Sequence, residues 1–132
     1  MAHRVFHLRN HHEGNAYAIP TTIQTTDGAP KNLVGAIADY YVKEDRSDSD
    51  EFAIVHKSGE EGVDEDDIEF TAPGDGELIV FVDTDDTAGE IEWTDLPEGE
   101  RESFDFWHRL DITDQDGNRV TVFSGDLEVI NS

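Results

Sequence analysis

Six histidines, 32 acidic residues and no cysteine bound the chemistry open to this 132-residue chain. Without cysteine there is no disulfide framework and no thiolate metal site. His3, His7, His11 and His12 crowd the first dozen residues. His7 and His11 would share a helix face at i, i+4 and could bind a metal beside His12. Gly14 and Asn15 follow at once, however, and no helical period supports that arrangement. His56 and His108 lie in stretches with strand alternation, and neither has a serine on a glycine elbow nearby. Both read as packed structural histidines rather than bases for a nucleophile. Carboxylate pairs arise by chance in so acidic a chain and do not signal a glycosidase. The segment DQDGN places Asp114, Asp116 and Asn118 like the start of a calcium loop, and Asp83, Asp85 and Asp86 form a second acidic cluster. The length and terminal glutamate of an EF-hand are missing, and Asp-Gly in a short hairpin is the commoner meaning. No glycine follows a strand in the dinucleotide-binding pattern. The expectation is therefore a chain with no catalytic residue, no cofactor and no metal, in which Asp114, Asp116 and Asn118 are weak metal candidates.

The elements that would position these residues read as strands. In residues 103–130, Phe104, Phe106, His108, Leu110 and Ile112 share one parity. Ser103, Asp105, Arg109 and Asp111 share the other, with Trp107 as its one apolar member. That is the pattern of a long half-buried strand. DQDGN then turns the chain. A strand over residues 119–123 returns, and residues 126–130 form a last one. Upstream, AYAIPTTIQ reads as a strand broken or edged by Pro20, and TTDGAP as a turn. Ala36, Ala38, Tyr40 and Val42 alternate with Asp39, Tyr41 and Lys43. EDRSDSDE reads as a solvated hairpin tip, residues 52–57 as a strand with Phe52 and Ile54 inward, and SGEEGVDEDD as an acidic loop. Residues 68–71 form a short strand, and APGDG a tight turn. ELIVFV, residues 77–82, is apolar on both faces and reads as a central or covered strand. Short strands at intervals of about 10–15 residues, with turn signals between them, are the signature of a β-sandwich.

The charge balance is extreme, at 32 acids against 9 lysines and arginines, a formal −23. A phosphate backbone would be repelled, so no nucleic-acid partner is expected. No run of 18 apolar residues exists, so no membrane span is expected. MAHRVFHLRNHH lacks the apolar core of a signal peptide. The alternation and the aromatic content argue for a folded chain rather than an acidic disordered one. The acids are spread along the sequence, and only Lys31, Lys43 and Lys57 are lysines. Both features fit a folded protein from a high-salt cytoplasm, where self-repulsion is screened. The first dozen residues differ, with Arg4 and Arg9 and no acid before Glu13. Residues 1–15 read as a His/Arg arm before a sandwich domain over 16–132. The arm is either a strand with Val5 and Phe6 partly buried, or a segment docking on an acidic neighbour.

The order of these signals carries a resemblance. TTIQTTDGAPKNLVGAIADYYVKE, residues 21–44, resembles the opening of small β-sandwich modules in tailed-virus structural proteins. FAIVHK resembles their next strand, and IEFTAPGDGELIVFVDT their following segment. Residues 103–130 resemble their close. The named family it is similar to is the N-terminal domain of phage baseplate upper proteins. The acidic loops at 44–51 and 58–67 are longer and more charged than that pattern, and the arm is not part of it. The resemblance implies a single immunoglobulin-like antiparallel β-sandwich with a short N-terminal arm. It further implies a non-enzymatic virion structural protein of the tail, baseplate or capsid surface, from a virus of an extreme halophile. Such a protein would assemble in the host cytoplasm with copies of itself and other virion proteins. On that reading Arg4, Phe6, Arg9, Tyr41 and Trp107 are the expected partner contacts. The rival is a carbohydrate- or cell-surface-binding sandwich using Trp93, Trp107 and calcium at Asp114 and Asp116. Both tryptophans could instead simply fill the core.

Overall fold

The computed structural model describes residues 4–5, 8–12, 16–25, 27–44, 47, 49–63, 67–82 and 103–130. In chain order its strands are β1 (Arg4–Val5), β2 (Leu8–His12), β3 (Tyr17–Thr22), β4 (Ile37–Lys43), β5 (Val55–Glu60), β6 (Ile68–Ala72), β7 (Glu77–Val82), β8 (Ser103–Thr113) and β9 (Arg119–Ile130). Short 3-10 turns at Asp50–Phe52 and Pro73–Asp75 link β4 to β5 and β6 to β7. The large sheet runs β1-β9-β8-β4-β5, with β2 also on β9, and the small sheet runs β3-β7-β6. Every pairing is antiparallel except those of β1 and β2 with β9. Strands β9, β8, β4 and β5 facing β3, β7 and β6 reproduce the variable-type immunoglobulin order, G-F-C-C′ against B-E-D. The chain is therefore an all-β, immunoglobulin-like sandwich, as its alternation and turn signals imply.

The inward parities meet between the sheets. From the small sheet come Ile19, Leu78, Val80 and Val82, and from the large sheet Ala38, Tyr40, Val42, Leu110, Ile112 and Leu127. ELIVFV is central, between β3 and β6. Its second face is only half covered, at Ile79 and Phe81. Pro20 lies on β3, an edge strand, where its missing N–H breaks no ladder on the open side. Gly59 on β5 lets the sheets approach, because a Cβ there would lie 2.9 Å from that of Ile68 on β6.

Three expectations need correction. The end of the chain is one strand, not two: β9 passes through Ser124 and Gly125 without a break. Leu110 faces Phe123 while Asp111 faces Thr121, so Val122 is the extra residue of a bulge. The bulge shifts parity by one, burying Val122 and Phe123 side by side. A reading by strict alternation takes that shift for a strand end. The strand after the acidic tip begins at Val55, not at residue 52. Its inward members are Val55, Lys57 and Gly59, while Ile54 packs against the core from the connection. The run 44–51 is not simply a solvated tip, because Asp50 folds back onto the large sheet. The N-terminal stretch pairs along the protein's own β9, Arg4 with Phe123 and Leu8 with Leu127. Of its two readings, the strand describes the backbone here.

A polar chain crosses this core. The Tyr17 hydroxyl of the small sheet is 3.1 Å from the Tyr40 hydroxyl of the large sheet, which is 2.9 Å from His108 Nδ1. Tyr40 and His108 are fully buried, and their rings meet edge-on at 5.8 Å. The chain can run in either direction, and in both the Tyr40 oxygen serves once as donor and once as acceptor. Burial pushes the Tyr40 hydroxyl well above its ordinary pKa, so it stays protonated. The Tyr40→Phe variant should lose about 1–3 kcal/mol of stability, the cost of leaving buried partners without this bond. Urea unfolding of both proteins at one fixed salt concentration checks it, and an unchanged midpoint would show that the bridge contributes nothing.

Candidate functional site

The outer face of the large sheet collects the residues that sequence reading placed on the polar parity. Cross-strand register sets Arg109 beside Tyr41 and Tyr41 beside His56, with Trp107 beside Lys43 one row along. Because β5 and β8 flank β4, His56 and Arg109 reach Tyr41 from opposite sides. The His56 ring stacks on it at 4.4 Å and 16°. The Arg109 guanidinium carbon lies 4.7 Å from its centroid. Arg109 and the Lys43 ammonium each lie 5.7 Å from the centre of the Trp107 ring. Such cation–ring contacts contribute roughly 0.5–2 kcal/mol each.

Two aspartates tie the cations together. Asp111, almost wholly buried, accepts Nη2–H and Nε–H bonds from Arg119 at 2.7 and 3.1 Å, and the Thr121 hydroxyl bond at 2.8 Å. Arg109 Nε lies 3.0 Å from Asp111 Oδ2 but is not aligned for a hydrogen bond. Asp50 comes from the β4–β5 connection. It pairs with Lys43 and takes Arg109 Nη2–H at 3.0 and 3.1 Å on its two oxygens. Arg119 Nη2 is 3.8 Å away. The Lys43 hydrogen bond, followed by Arg109, holds the Asp50 carboxyl below the usual range. Asp39 accepts from or pairs with His56 Nε2 at 3.0 Å. Three of the chain's nine lysines and arginines thus sit on one face of a protein with 32 acids.

Of the expected partner contacts, Trp107 is on this face and half buried. Tyr41 is on the same face but only 6 % exposed. Arg109 and His56 cover it because aromatic faces attract cations and flat rings. Arg4 and Arg9 are placed by backbone alone, in β1 and β2, and Phe6 lies outside the described residues. Trp93, Asp83, Asp85, Asp86, His3 and His7 also lie outside them. His11 and His12 are successive strand residues on β2, which removes the helical metal arrangement. In DQDGN the Asp114 Oδ1 accepts backbone N–H groups of Asp116 and Asn118 at 3.0 and 2.9 Å, and Lys31 Nζ reaches Oδ2 at 3.4 Å. The carboxylate is thereby spent on closing its own turn, with Gly117 at φ 86°. Among the described residues, no three His, Asp or Glu side chains gather as metal ligands.

Sequence reading missed Asp50, Lys43, Arg109, Asp111, Arg119 and His56 as one group. Lys43 and Arg109 share outward parity with Tyr41 and Trp107, and that was the available signal. Asp50 had none, being one acid in a run of them.

No protein-family model and no curated protein sequence matches the chain. The chain is similar to a solved structure of murine CRIg at 12 % identity and a TM-score of 0.35, over 92 % of this chain and 88 % of that one. At that level the likeness carries no argument, and the fold assignment rests on strand order.

Two outcomes follow from the geometry. Asp111→Ala should cost about 3 kcal/mol, the low end for a broken buried pair because Arg119 can turn to water. An urea midpoint within error of the parent protein would contradict this. Asp50 has a lowered pKa when folded, so its contribution is fully present above the ordinary value of 3.8 and fades as pH falls through the lowered one. The difference in urea midpoint between parent and Asp50→Asn should therefore hold from pH 7 down to about 4 and vanish in stronger acid. A difference that persists there would deny the ion pairs.

Proposed function

We propose that this chain is a non-enzymatic assembly module, a structural component of a virion in high salt, engaging copies of itself and other virion proteins through the outer face of the large sheet. The observation that carries this reading is the concentration of Arg109, Arg119 and Trp107 on that face, backed by the covered Lys43 and Tyr41, within a chain of formal charge −23. Arginine and aromatic residues are the types enriched at protein interfaces. Ile37 extends the same parity of β4 toward solvent at 39 % exposure, and Val34 and Val63 are exposed near that end of the strand pair. His108 is sealed in the core, where no substrate can reach it. The resemblance to tailed-virus sandwich modules supports the setting.

Association should rise with salt rather than fall. Two copies at −23 repel over about 10 Å at 0.1 M salt but only about 3 Å at 1 M, while covered contacts are screened less. Sedimentation velocity from roughly 0.1 M to molar KCl should show growing oligomers. Val34→Glu and Ile37→Glu, at two exposed positions, should each keep the fold by circular dichroism and shift the protein toward monomer. A protein that stays monomeric at every salt concentration, or variants that associate like the parent, would sink the reading.

A further inference from the structure

Among the described residues, Asp50 is an anion of the outer face that the sheet itself does not supply. It rides on the connection between β4 and β5, and its side chain is 42 % exposed. The cations around it come from three strands and are far better covered in two cases: the side chains of Lys43 and Arg109 are 3 % and 17 % exposed. Arg119 completes the ring at 3.8 Å and is half exposed. The Tyr41 and Trp107 rings back the two covered cations. The sheet thus builds a cup for one carboxylate, and a loop fills it.

We infer that this cup is a carboxylate-binding site for an acidic segment of a second copy of the chain, and that Asp50 is its intramolecular occupant, displaced when copies meet. The inference rests on the self-assembly reading above. Charge complementarity selects the occupant. The cup groups three cations around one further anion, Asp111, which lies 2.7 Å from Arg119 and 3.0 Å from Arg109, and so keeps an excess of cations once Asp50 leaves. From Glu13 onward, by contrast, the chain carries 32 acids and seven lysines and arginines, so a second copy offers an excess of carboxylates. The donors that meet Asp50 would meet an incoming carboxylate in the same geometry, since guanidinium and ammonium groups recognise the group and not the residue bearing it. What opposes exchange is proximity. A group on a short loop competes at an effective concentration in the millimolar range, so a free acidic segment binds weakly until Asp50 leaves. Two copies joined at several points supply a comparable local concentration and can make the exchange.

The test uses the full chain and a fluorescein-labelled deca-glutamate peptide, read by anisotropy, with sedimentation of the same samples. The parent should bind the peptide weakly, Asp50→Ala about tenfold more tightly or better, and Asp50→Ala/Arg119→Gln should lose that gain. Asp50→Ala should also self-associate at lower concentration, and unlabelled peptide should reverse it. Circular dichroism must show all three folded; if Asp50→Ala does not fold, Asp50→Asn takes its place. No gain in peptide affinity on removing Asp50, or a gain that survives Arg119→Gln, overturns the inference even where the parent still assembles with salt. A gain for peptide without a change in self-association overturns the second copy as occupant. Peptide gain in a protein that never self-associates sinks the assembly reading and the second copy together.

Discussion

The sandwich depends on a polar chain through its middle. Two sheets can slide on one another when only apolar side chains meet, because burial is non-directional. Tyr17, Tyr40 and His108 remove that freedom by joining β3 to β4 and β8 with hydrogen bonds of defined geometry. In antibody domains a disulfide between strands B and F spans the sheets. This chain has no cysteine, and the polar chain runs between the equivalents of B, C and F instead. Low local dielectric strengthens each bond and makes any missing partner costly, so the arrangement favours one register of the sheets.

A second constraint comes from acidity. With 32 acids and nine lysines and arginines, most carboxylates must face water without an ionic partner. The cations whose side chains are described are not scattered among them. Lys31 holds Asp114, Lys57 holds Asp67, and Lys43, Arg109 and Arg119 share Asp50 and Asp111. Each secures a loop or turn to the sandwich or one strand to another. Grouping three on one sheet face sets them beside the rings of Tyr41 and Trp107. The same grouping that steadies β4, β8 and β9 gives the face its capacity to receive a carboxylate.

Strand positions were legible because the chemistry is local. Phe106, Leu110 and Ile112 alternate with Arg109 and Asp111, and burial follows that alternation. TTDGAP and DQDGN turn the chain through glycines at φ 87° and 86°. Where local pattern and structure part, the cause is a non-local term. The Val122 bulge exists because β9 must serve β8 along its whole length while keeping Phe123 and Leu127 inward. Lys43 and Asp111 obey outward parity and are still buried, because neighbouring strands and the Asp50 loop cover them.

By itself the sequence determined an all-β chain of short strands, a core parity on each, an acidic surface and the lack of any cysteine-based link. These follow from residue type and spacing within one strand or turn. Tertiary structure alone decided that β1 and β2 lie parallel on β9, that His108 meets Tyr40 across 68 positions of chain, and that Asp50 closes over Lys43 and Arg109. Those are pairings between distant residues. Nothing in a run of aspartates distinguishes Asp50 until the sheet places three cations beneath it.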